Sequence, residues 1–192
     1  AYWHNGACMA IDVEKAGLFQ IDMKQNLISI PCLKNSIPKA YLEEIVLGPI
    51  LGLFLTHHDK WLVHASAAEY QGKLALFLGR SGAGKSTLAE WLNSLGTDWK
   101  RVADDVCVVM SPGAIPYCEK FFPQLKVGHH QWNLDRHNAR NAISAIFNID
   151  RTESKTRCHI QKISRSRGTL TLAKHSVATT LFDNKTLTQH LN

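Results

Sequence analysis

Gly79, Gly84, Lys85 and Ser86 stand at the fixed positions of G-x-x-x-x-G-K-[ST] in "GRSGAGKS", and Thr87 follows directly. The chemistry such a spacing serves is the holding of a polyphosphate. Glycines let the backbone curl until successive amides converge, a helix start adds positive potential, and a lysine reaches the terminal phosphates. A serine hydroxyl offers an oxygen to Mg²⁺. Gly79, Arg80, Ser81, Gly82, Ala83, Gly84, Lys85, Ser86 and Thr87 are therefore the candidate cradle for ATP and its magnesium. The frame this motif requires is an apolar strand before it and an amphipathic helix after it, and "KLALFL" and "STLAEWLNSL" supply both.

Chemistry on a bound triphosphate also needs acids. Asp104 and Asp105, in "RVADDVCVVM", follow Ser86 by eighteen and nineteen residues. Only two apolar residues precede them and the long apolar run comes after, the reverse of the order in GTPases and motor ATPases. One carboxylate facing the metal and one facing an attacking hydroxyl is one reading; a solvated turn pair is the other. His64, in "LVHASA", is either a site residue brought to the loop by antiparallel pairing of its strand with the next or a satisfied core histidine.

Several elements must position these groups. Residues 7 to 33 alternate with period two between turn residues, which predicts a small antiparallel meander. Residues 38 to 58 carry Leu42, Ile45, Val46 and Leu53 at helical offsets and predict a helix bent near Pro49. "WLVHASAAEY" predicts one strand, "QG" a tight turn and "KLALFLG" a buried strand. Residues 85 to 95 predict a helix with Leu88, Trp91, Leu92 and Leu95 on its packed stripe, stopped at Gly96. Further on, residues 100 to 110 read as extended, "SPGAIP" as turns and 131 to 141 as a loop. "AISAIFNI" and "TRCHIQKI" read as strands. A last helix is expected from about Ser166, with Leu170, Ala173, Val177 and Leu181 apolar.

Bulk properties narrow the class. The chain has 192 residues, 45% hydrophobic and 20% charged, a globular composition. Its longest apolar run, residues 45 to 55, contains Pro49 and falls short of the roughly 20 residues of a membrane span. No membrane partner is expected. Five scattered cysteines without C-x-x-C suit free buried thiols in a reducing cytoplasm, and the chain lacks a signal-peptide pattern. It opens on Ala1, as a trimmed or partial chain would. The histidine pairs at 57–58 and 129–130 lack H-E-x-x-H and read as surface or helix-end residues. Net charge is +6, carried by residues 119 to 192, where 12 Lys and Arg face 5 Asp and Glu. Few aromatics accompany that charge, so nucleic acid is not the expected partner.

"VHASAAEYQGKLALFLGRSGAGKSTLAEWL" with "RVADDVCVV" resembles the catalytic core of the HPr kinase/phosphorylase family, serine kinases with a P-loop in a fold related to phosphoenolpyruvate carboxykinase. The likeness covers roughly residues 60 to 110 and is to the HPr-kinase-like proteins whose cores read "HASAV…GxSGAGKSTL…DD", some tied to peptide tailoring. The resemblance implies an α/β fold: a P-loop core over residues 38 to 192 with a mixed sheet and flanking helices, preceded by a small β-rich piece over residues 1 to 37. It implies Asp104 as base on an acceptor serine hydroxyl, supported by His64, with Lys85 steadying the transferring phosphoryl and Ser86 and Asp105 at Mg²⁺. The acceptor would be a serine-containing peptide, protein or small molecule, and family members are often homo-oligomers. In place of the family's downstream "GIG…LFG" signature the chain reads "SPGAIPYCEKFFPQLKVGHHQWN". Glu119 is the candidate for the family's metal-binding glutamate, and Lys126 or an arginine between 136 and 167 for a phosphoryl contact. That departure also leaves room for an ATP-binding regulatory module that transfers nothing.

Overall fold

The computed structural model describes residues 2–34, 37–111, 113–119, 140–150 and 158–177. The chain is mixed α/β, with two sheets and few helices. The first sheet is the expected meander. Strands β1 (Tyr2–His4), β2 (Cys8–Val13), β3 (Gly17–Asp22) and β4 (Leu27–Leu33) pair antiparallel in sequence order. Period-two alternation puts Met9, Ile11, Phe19 and Ile21 on one face, and they are buried.

That face is covered by a bent helix, α1 (Lys39–Ile45) and α2 (Leu51–Thr56), joined by a π-helical turn at Val46–Ile50 with Pro49 inside it. Proline lacks the amide hydrogen and its ring crowds the carbonyl four residues back; one residue more per turn relieves both. Ile45, Ile50 and Leu53 close the meander's core, while Leu51 and Leu55 pack with Leu62 and Val108 of the second sheet. The helix begun at residue 39 thus shares its core with the β-rich front piece as well as with the second sheet.

The second sheet has seven strands: β5 (Lys60–His64), β6 (Ser66–Tyr70), β7 (Lys73–Leu78), β8 (Trp99–Ala103), β9 (Val106–Met110), β10 (Tyr117–Glu119) and β11 (Arg140–Asn148). Their order is β5-β9-β10-β11-β7-β6-β8, with only β7 and β11 parallel. Residues 61 to 70 are therefore two strands and not the single one expected, and residues 99 to 110 are also divided. β5 pairs with β9 and β6 with β8, both antiparallel, with His64 opposite Val106 and Ala67 opposite Ala103 before the register slips by one between Ala67 and Ala68. Between those rungs the Ala65 amide donates to the Asp105 carbonyl at 3.2 Å. Both strands bend at the same rung. The two ends of the sheet meet there, and the sheet curls around Val63, Ala67, Leu74, Leu76, Leu78, Cys107, Cys118 and Ile143.

Ala65, Ser66, Ala67 and Ala68, at and just after that rung, are small and fully buried. β7 is buried on both faces, which explains its unbroken apolar run: Leu74, Leu76 and Leu78 face the curled interior, while Ala75 and Phe77 face α3 (Lys85–Ser94). Leu88, Ala89 and Leu92 dock that helix on β6 and β7. Trp91 and Leu95 do not join them, being 56% and 44% exposed. At about 100° per residue, Trp91 lies about 110° from the centre of the packed face. Residues 158–164 form no strand, contrary to expectation, and lead instead into α4 (Arg165–His175), capped by Ser164 Oγ accepting from the Arg167 amide at 3.3 Å. Leu172 packs against the curled core; Leu181 and most of the expected loop at 131 to 141 lie outside the described residues.

Candidate functional site

Residues 79 to 84 connect the carboxyl end of β7 to the start of α3. Three glycines there take positive φ: Gly79 at 148°, Gly82 at 77° and Gly84 at 101°. Gly79 is needed twice over, since a Cβ on it would come within 2.6 Å of the Ile149 carbonyl oxygen and 3.2 Å of the Ala83 side chain. Ile149 is there because β11 runs parallel beside β7 and the Ile149 amide donates to the Leu78 carbonyl at 2.8 Å. The loop is thus moulded against a strand that arrives much later in the chain.

Lys85 is buried to 7% exposure, and its Nζ donates to the carbonyls of Gly79 at 3.0 Å and Arg80 at 3.2 Å. An ammonium in that position is costly unless hydrogen-bonded, and the folded-back loop supplies the acceptors. Arg80, Ser81, Gly82, Ala83 and Gly84 precede Lys85 in the loop, and Ser86 and Thr87 follow it in the first turn of α3.

The bent rung of the β5–β6 and β8–β9 ladder approaches the same helix start. Ser66 is fully buried, and its Oγ lies 3.5 Å from Ser86 Oγ, 3.3 Å from the Asp104 carbonyl oxygen and 3.4 Å from Asp104 Oδ1. Its single proton can serve one of these acceptors at a time. Asp104 is 9% exposed. Its neighbour Asp105 turns the other way along the rung and places Oδ1 3.3 Å from His64 Nδ1. His64 is the last residue of β5, so it reaches this place through β9 and not, as expected, by pairing of its strand with β7.

The structure therefore brings together the loop 79–87, Asp104, Asp105 and His64, and adds two residues that the sequence did not single out. Ser66 is one; its small, buried, hydroxylated character in an alanine run was the only local sign of it. His175, the last residue of α4, is the other. Ser176 bridges Val63 and the Val177 amide donates to the Leu62 carbonyl at 2.8 Å, which sets His175 beside the end of β5. Burial, and then the positive charges of Lys85, His64 and Lys174, lower its pKa below the ordinary histidine value.

Glu119 is engaged elsewhere: it stands opposite Val108 in the middle of β9 and pairs at 3.0 Å with Lys60, which is opposite Met110 at the end of β9 away from the aspartates. Arg140, the first residue of β11, stands opposite Glu119 in the ladder, at the end of β11 away from the glycine loop. Lys126, Arg136, Arg151 and Arg157 lie outside the described residues; Arg165 and Arg167 are in the first turn of α4. Of the cysteines, Cys107 and Cys118 are buried, as expected, but Cys32 and Cys158 are exposed. A hydrogen bond with the Cys118 thiol, full burial and the charges of Cys118, Asp104 and Asp105 raise the Cys107 pKa well above the ordinary thiol range, so it stays protonated. His57 and His58 sit at the end of α2, the first with Nδ1 3.3 Å from the Leu53 carbonyl oxygen, the second against the Phe54 ring.

Among the described residues no three His, Cys, Asp or Glu side chains stand close enough to hold a metal by themselves. The oxygen donors that converge, a serine hydroxyl and a carboxylate, are of the hard type that suits Mg²⁺, which keeps several waters and takes the rest of its shell from phosphates. No protein-family model matches the chain, and no curated protein matches it. Among the described residues no helix is long and apolar enough to cross a membrane.

Proposed function

We propose that the protein is an ATP- and Mg²⁺-dependent kinase that transfers the γ-phosphoryl group to a serine hydroxyl of a peptide, protein or small molecule. The observation that carries this reading is the approach of the acidic rung to the glycine loop, Ser86 Oγ to Ser66 Oγ to Asp104 over two contacts of 3.5 and 3.4 Å. A phosphate-binding loop alone supports binding; acids beside its hydroxyl support transfer.

The loop 79–87 would hold the triphosphate, with Lys85 exchanging its two carbonyl acceptors for phosphate oxygens. Ser86 and the carboxylate on the Ser66 side, Asp104, would hold magnesium, which when bound offsets phosphate charge. In the resemblance to HPr kinases the base is Asp104 with His64 in support and Asp105 at the metal. The contact between His64 Nδ1 and Asp105 Oδ1 favours the opposite division, with Asp105 as the group that receives the acceptor proton and His64 as its support. The acceptor oxygen then bonds to the γ-phosphorus as the bond to the ADP oxygen breaks, and the hydroxyl proton passes to the Asp105–His64 pair.

The test is transfer of radiolabelled γ-phosphate from Mg-ATP to a library of serine-containing peptides and small hydroxyl compounds. Labelled product that disappears with Lys85→Met supports the kinase. Tight ATP binding by calorimetry with no labelled product from any acceptor class would favour a nucleotide-sensing module.

A further inference from the structure

Beside the loop, α3 and β8 border an open depression of about 580 Å³ lined by Ser86, Thr87, Glu90, Trp91 and Arg101. The hydroxyls at its upper end belong to the loop. At its lower end is Trp91, 56% exposed although the helix has an apolar face on which it could have been buried. Arg101 is fixed there: its guanidinium pairs with Glu90 at 2.5 Å, and its side chain is 19% exposed. An indole and a held guanidinium are the two protein surfaces on which flat heteroaromatic rings stack best.

We propose that this depression is a nucleobase subsite, in which a purine stacks on the Trp91 indole beside the Arg101 guanidinium. The inference rests on the reading of residues 79 to 87 as the phosphate cradle and extends it. Trp91 follows Ser86 by five residues, about 7.5 Å along a helix, on the scale of the step from a phosphate through a ribose to its base. The occupant is a base and not the phosphoryl acceptor because the groups that would take the acceptor's proton, Asp105 and His64, do not line the depression. They contact each other on the rung that carries Ser66, which touches Ser86. The Glu90–Arg101 pair keeps the guanidinium in place, so little ordering remains to be done on binding.

Calorimetry with two probes, Mg-ATP and Mg-tripolyphosphate, on the full chain tests this. Wild type binds Mg-ATP more tightly than tripolyphosphate. Trp91→Ala weakens Mg-ATP about tenfold, the scale of one base stacked on an aromatic side chain, and leaves tripolyphosphate unchanged; Trp91→Phe recovers most of the loss. An unchanged Mg-ATP affinity in Trp91→Ala, or equal weakening of both probes, overturns the subsite and leaves the cradle standing. A Trp91→Ala effect confined to the KM of the acceptor makes the depression an acceptor site and also overturns it. Wild type that binds neither probe overturns the cradle and the subsite together.

Discussion

Ser66 and Asp104 face each other across the one rung where two long strands bend together, the hydroxyl 3.4 Å from the carboxylate and the residues 0% and 9% exposed. They are far apart in sequence, and their contact couples the bend of the sheet to the chemistry of the helix start. Ser66→Ala removes the donor and leaves the buried carboxylate with one partner fewer. We expect a loss of about 1 to 3 kcal/mol in urea unfolding, together with a higher Mg²⁺ concentration for half-maximal phosphotransfer. A Mg²⁺ requirement identical to wild type would remove Asp104 from the metal.

The two aspartates should separate kinetically. Asp105→Asn is expected to lower kcat by about 10²- to 10⁴-fold, the range for loss of a general base, with Mg-ATP affinity retained. Asp104→Asn is expected to raise the Mg²⁺ requirement first. If Asp104→Asn instead abolishes turnover at saturating Mg²⁺ while Asp105→Asn remains active, the base is Asp104 and the roles are exchanged.

Gly79→Ala combines an unfavourable φ of 148° with a backbone carbonyl 2.6 Å from the new methyl group. That carbonyl belongs to the residue whose amide is bonded to the Leu78 carbonyl. The variant is expected to lose at least about 1 to 3 kcal/mol of stability and most of its affinity for tripolyphosphate. Gly82→Ala, with open space around the added carbon, bears only the φ cost and should retain more of both. Equal behaviour of the two variants in thermal melts would show that the contact with Ile149 is not a constraint.

His175 carries a pH dependence whose sign is fixed. Its folded pKa lies below its unfolded value because of burial and the cations Lys85, His64 and Lys174. The unfolded chain therefore binds the extra proton more readily between the two pKa values, and stability rises with pH across that window. The gain begins at the folded pKa and is complete above the unfolded one, near 6.5. In His175→Gln the difference in unfolding free energy between pH 5 and pH 8 should be smaller than in wild type. A larger difference would contradict the placement of His175 beside Lys85 and His64. Since His175 stays neutral further into acid than an ordinary histidine, it adds no positive charge beside Lys85 across that range.

The loop, the meander and the bent helix are all legible from spacing, because each follows from local rules: glycine at positive φ, period-two alternation, proline inside a helix. The bend at Ala65 is not. No glycine or proline marks it, and its cause is a partner strand, distant in sequence, that bends at the same rung. Helical offsets put Trp91 near Leu88 and Leu92 and so on the packed stripe; the sheet beneath, lined by Ala68, Ala75 and Phe77, takes the neighbouring sector instead. Residues 158 to 163 alternate well enough for a strand but find no edge to pair with among the described residues. His175 has no local signal at all, since what brings it to the site is the bridge from Ser176 to Val63.

β11 has its own consequence for how the molecule comes into being. A ribosome releases the glycine loop long before residues 140 to 149, yet those residues fill the gap between β7 and β10 and supply the wall against which Gly79 rests. Until they emerge, two strand edges stand open to other nascent chains. Any truncation upstream of residue 140 should therefore yield aggregates rather than a smaller folded protein.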